Sequence, residues 1–69
     1  MTTMSKLSPR QQEIMMLILE NKSQKEAANG LGISRRTVEC HLRRAREVTG
    51  CKSTLDLAVR IAIEESNNV

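Results

Sequence analysis

Phenylalanine, tyrosine and tryptophan are absent from this chain of 69 residues. With 39% hydrophobic residues and no ring among them, it can build only a small aliphatic core, within one domain at most. Cysteine occurs twice, as Cys40 and Cys51, too few for a disulfide framework, so both are expected as free thiols in a reducing compartment. Histidine occurs once, as His41, and no second ligand stands at metal spacing, which argues against a structural zinc site. Neither a signal-like apolar run nor a stretch near the roughly twenty apolar residues of a membrane span is found. The expected location is the cytoplasm, with no membrane partner. Nothing resembles a catalytic constellation or a cofactor motif, and a chain this short could not wall in a pocket for one. No enzyme activity and no cofactor are therefore expected.

What the chain does have is a concentration of arginine. Net charge is +3, but residues 34–52 hold six basic side chains (Arg35, Arg36, Arg43, Arg44, Arg46, Lys52) against Glu39 and Glu47. That segment carries +4 and leaves the remainder near neutral, as expected of a protein with a polyanionic partner at one face. Wound as a helix, Val38, Leu42, Ala45 and Thr49 share one side, at spacings of three and four. Arg36, Glu39, Cys40 and Arg43 fall opposite, flanked by Arg35, Arg44 and Arg46. His41 sits at the margin of the apolar side, where a packing role suits it better than that of a base.

The segment in front defines the context of this helix. Ser23 followed by Glu26 is a capping box, so a helix should begin at Gln24, with Ala27, Ala28 and Leu31 as its buried stripe. Gly32 suits a left-handed terminus, Ile33 can plug the corner, and Ser34 can cap the next helix. A short helix, a tight turn and a longer basic helix make a helix-turn-helix, whose second helix reads the major groove of DNA. The small Ala27-Ala28 pair permits the close crossing that such a unit needs.

Two further helices complete an all-α, four-helix reading. Ser8, Pro9 and Gln11 supply a cap, a first-turn proline and a capping-box partner for a helix from Pro9 to about Glu20, with Ile14, Met15, Leu17 and Ile18 inward. Asn21-Lys22 makes the following turn. Gly50 ends the basic helix, and Ser53 starts a last helix over Thr54 to about Glu65, with Asp56 as the capping acid. Residues 1–6 are expected as a disordered tail, residues 7–66 as the domain, and Asn67 to Val69 as a frayed end. In the last helix Leu55, Ala58, Val59 and Ala62 are expected to face the core, leaving Leu57, Ile61 and Ile63 as an exposed patch for dimer contact. A two-fold pair would set two reading helices one DNA turn, about 34 Å, apart.

The assembled motifs resemble the DNA-binding domain of the LuxR family, the GerE-type helix-turn-helix. L-S-P-R-Q (Leu7 to Gln11), S-Q-K-E-A-A (Ser23 to Ala28), I-S-R-R-T-V-E-C-H (Ile33 to His41) and Gly50 follow that family's pattern over about Leu7 to Ile63. The resemblance implies a four-helix domain that binds double-stranded DNA as a homodimer through its fourth helix, in transcription. The chain departs from the pattern at Gln11, where glutamate is usual, at Ala27 and Gly30, and at the lean positions Ala45 and Thr49. The sensory or receiver domain usual in the family is not in the sequence, so a stand-alone module is expected.

By family position and helical wheel alike, Glu39, Cys40 and Arg43 face base edges. Arg43 suits guanine, Glu39 a cytosine amino group and Cys40 a thymine methyl. Ser23, Lys25, Arg35, Arg36, Thr37, Arg44, Arg46 and Lys52 are the expected phosphate contacts. Two other readings stay open. T-V-E-C-H-L-R-R-A-R also looks like the promoter-reading region of alternative sigma factors. A stand-alone domain with an adhesive last helix could instead pair with a larger LuxR-type regulator and block it.

Overall fold

A computed structural model describes residues 2–66. Its helices are α1 (Pro9–Leu19), α2 (Gln24–Leu31), α3 (Arg35–Thr49) and α4 (Thr54–Ser66), preceded by a 3₁₀ turn at Met4–Lys6. No strand occurs among the described residues, as an all-α architecture requires. The fraying expected at 67–69 lies outside them.

Local chemistry sets the helix boundaries. Ser8 Oγ accepts from Gln11 N at 3.3 Å while Ser8 N donates to Gln11 Oε1 at 2.9 Å, a reciprocal box that starts α1 with Pro9 in the first turn. The same exchange between Ser23 and Glu26 starts α2, at 3.1 and 2.9 Å. It holds the Glu26 carboxyl below its usual pKa, chiefly through the Ser23 backbone N–H. Ser34 Oγ accepts from Thr37 N at 3.1 Å at the start of α3. Ser53 Oγ accepts from Asp56 N at 3.0 Å, and the Asp56 carboxylate accepts from Lys52 N instead of returning to Ser53.

Left-handed residues close the helices. Asn21, at φ 68°, ends α1, and Lys22 N then donates to Leu17 O at 3.0 Å. Gly32 at φ 69° ends α2 and Gly50 at φ 75° ends α3, with Cys51 N donating to Arg46 O at 3.1 Å. Asparagine tolerates this conformation better than other non-glycine residues, so α1 can turn without a glycine.

The core is aliphatic: Leu7, Ile14, Met15, Ala28, Val38, Leu42, Ala45, Cys51, Leu57 and Ile61 cluster together, with Met4, Ile18, Leu31, Ile33 and Ala58 packed around them. Helix α3 packs against α1, α2 and α4, so its inner face of Val38, Leu42 and Ala45 is the centre of the domain. Cys51, expected only as a free thiol after α3, is free and also buried in this core.

Two expectations are corrected. Leu57 and Ile61, assigned to an exposed dimer patch, are 0% and 1% exposed and belong to the core, whereas Leu55 is 73% exposed and Val59 47%. Helix α4 is apolar nearly all round over Leu55 to Ile63, so periodicity leaves its rotation undetermined. Packing selects the stripe with the longer side chains, Leu57 and Ile61, over one that would bury Ala62. Ile63 is exposed as expected.

The second correction concerns the tail. Thr3 and Met4 dock inward: Met4 packs against the core, and Thr3 is 6% exposed, its N–H donating to Glu64 Oε2 and its hydroxyl to Glu64 Oε1, both at 2.7 Å. Glu64 lies seven residues after Leu57 on the same face of α4, and Thr2 and Met4 line a small cavity there with Ile61, Glu64 and Glu65.

Candidate nucleic-acid interface

The cap at Ser34 and the left-handed Gly50 fix the ends of α3, and its buried stripe fixes its rotation. Arg35, Arg36, Glu39, Cys40, Arg43 and Arg44 are consequently all exposed, and Arg46 is half-buried. Arg36, Glu39, Cys40, Arg43 and Arg46 line one shallow groove on this surface. Ser34, Arg36, Thr37, Cys40, His41 and Arg44 line the neighbouring one. The Cys40 thiol belongs to both, and the three residues expected to meet base edges, Glu39, Cys40 and Arg43, come together in the first.

The electrostatics are uneven. Arg35 Nε lies 3.6 Å from Glu39 Oε1, and Arg43 Nε 3.6 Å from Glu47 Oε1. Arg36, Arg44 and Arg46 have no acidic partner among the described residues. The guanidiniums of Arg36, Arg44 and Arg46 therefore carry uncompensated charge, while those of Arg35 and Arg43 each lie beside a carboxylate.

Of the remaining sequence-derived contacts, Thr37 lines the second groove, and Ser23, Lys25 and Lys52 lie outside the grooves of α3. Ser23 and Lys25 are exposed at the start of α2, and Lys52 is exposed beyond Gly50. Ser23 Oγ already accepts from Glu26 N, which leaves its hydroxyl proton free to donate. Thr37 Oγ1 is 2.8 Å from Ser34 Oγ, so those two hydroxyls share one hydrogen bond. Sequence reasoning gave Glu47 no role, although it pairs with Arg43 and lines a third groove with Cys40 and Arg44. Its signal was the four-residue spacing from Arg43.

Helix α2, the turn at Gly32 and Ile33, and α3 with its outward arginines define a DNA-binding helix-turn-helix. The family model described as Sigma-70, region 4 matches residues 1–48, ending one residue before the end of α3. The chain belongs to the sigma-70 region 4 family, and its role lies in transcription. No curated protein and no solved structure matches it. No helix among the described residues is long and apolar enough to cross a membrane.

Proposed function

We propose that the chain is a sequence-specific, double-stranded-DNA-binding transcription regulator of a bacterial cytoplasm. It acts by binding, without chemistry of its own, and takes no cofactor. The observation that supports this most strongly is the two-sidedness of α3. Its apolar side is consumed by the core, and its outer side presents five arginines around a groove lined by Glu39, Cys40 and Arg43. Arg43 reads guanine through O6 and N7, Glu39 accepts from a cytosine amino group, and Cys40 touches a thymine methyl. Arg36, Arg44 and Arg46 hold phosphates, joined by Arg35, Thr37, Ser23, Lys25 and Lys52.

The motif blocks that resemble LuxR-type domains favour a homodimer through α4. The pairing surface is the exposed stripe of Leu55, Val59 and Ile63, in place of one containing Leu57 and Ile61. These residues recur at intervals of four, so they form one continuous apolar edge.

The family match favours a second reading, a sigma-like promoter-binding module that works with RNA polymerase. Helix α4 lies beyond the matched residues and distinguishes the two, since a groove-reading module without it would have no pairing stripe. Selection from a random DNA pool, read by gel shift, tests the first reading; enrichment of a two-fold symmetric sequence supports it. Enrichment of no sequence by the protein alone, with retention on polymerase core, supports the second.

A further inference from the structure

Four charged residues of α3 follow one another at intervals of four: Arg35, Glu39, Arg43 and Glu47. Each arginine is paired with the glutamate after it, at 3.6 Å in both cases. Beside this self-neutralising row runs a second, Arg36, Cys40 and Arg44, whose arginines have no acidic partner among the described residues.

The order within the pairs is the reverse of the one a helix favours. Glutamate N-terminal to the cation agrees with the helix dipole, and arginine first opposes it. Arg35 occupies the first position of α3 and Glu47 its last turn, so each charge sits at the helix end that repels it. Both pairs are exposed, where such pairs contribute little. Helix stability therefore does not account for Glu47.

What Glu47 changes is the state of Arg43. The contact runs through Nε at 3.6 Å between exposed side chains, so Arg43 stays free to turn two N–H donors to a guanine edge, whose O6 and N7 accept them in one plane. A phosphate can also take two guanidinium donors, but it is an anion that the adjacent Glu47 carboxylate repels, whereas the uncharged guanine edge meets no such repulsion. Building on the assignment of α3 as the groove-entering helix, we infer that Glu47 is a specificity-determining residue. It competes within the chain for Arg43, withholding that side chain from random-sequence DNA and releasing it to guanine.

The test compares two probes: the duplex that the wild-type protein enriches from a random pool, and a mixed-sequence duplex of equal length. Glu47→Gln is expected to bind the mixed duplex about three- to ten-fold tighter, the scale of one charge removed near a polyanion. It is expected to gain less on the enriched duplex, so that the preference ratio falls. Glu13→Gln makes the same charge change on α1 and is expected to leave that ratio unaltered. In an Arg43→Ala background, Glu47→Gln should no longer change it. Thermal unfolding of Glu47→Gln should match or exceed wild type, which separates binding from folding. An equal gain on both duplexes, or none on either, overturns the role of Glu47 while leaving DNA binding intact. A wild-type protein that enriches no sequence and retards neither duplex overturns both.

Discussion

The Glu64 carboxylate takes both donors of Thr3, the backbone N–H and the hydroxyl, each at 2.7 Å and across 61 residues of sequence. The first residues and the last helix are thereby tied to each other, with Met4 of the 3₁₀ turn packed against the core beside them. The Thr3 hydroxyl first, and its backbone N–H second, hold the Glu64 carboxyl below its usual pKa of 4.5.

A depressed carboxyl stabilises the fold above its unfolded pKa, and that contribution is lost as pH falls through the lower folded value. Wild-type stability should therefore decline as pH drops below 4.5, in part through this contact. Glu64→Gln is expected to lower the melting temperature at neutral pH and to flatten the acid limb. Melting curves across the acid range check both, and a Glu64→Gln profile parallel to wild type would remove Glu64 from the account.

Leu57→Ala and Ile61→Ala should each cost about 2–5 kcal/mol, the range for truncating a fully buried aliphatic side chain. In a domain of this size that is much or all of the stability. Leu55→Ser and Val59→Ser, on the exposed side of α4, should leave the unfolding midpoint of dilute protein nearly unchanged. Under the pairing proposal these two shift the protein toward monomer in sedimentation. Loss of fold from the outer substitutions and not the inner would mean that α4 is rotated.

Glycine-to-alanine changes should have opposite signs at two sites. Gly30 lies inside α2 with open space where a Cβ would go, so Gly30→Ala is expected to stabilise by about 0.5–1 kcal/mol. Gly50 has equally open space but sits at φ +75°, so Gly50→Ala should destabilise by about 1 kcal/mol. Denaturant titration resolves the two.

On DNA, Arg43→Ala is expected to reduce discrimination at one base pair by about 1–3 kcal/mol. Arg36→Ala should weaken all sequences alike and lower the salt slope by about 1. Equal losses on the enriched and mixed duplexes for Arg43→Ala would reassign it to the phosphates.

The capping boxes at Ser8 and Ser23, the stop at Gly32 and the two faces of α3 were legible in the sequence because each depends on residues within a turn of one another. The arginine-rich groove followed, since the rotation of α3 is set by only three strongly apolar-facing positions, Val38, Leu42 and Ala45. Helix α4 was different. With apolar residues on almost every side, its rotation is decided by the neighbours it packs against. The Thr3 contact with Glu64 was hidden for the same reason, because it joins opposite ends of the chain and leaves no local spacing. Glu47 was visible as a spacing, but its meaning depends on the pairing geometry at Arg43.

Helix α3 assigns its tasks to separate residues: Val38, Leu42 and Ala45 hold the domain, and Glu39, Cys40, Arg43 and Glu47 stand in solvent. Target preference can then drift by substitution at the outer positions while the interior stays untouched. One scaffold of this kind could be redirected to many sites without being refolded.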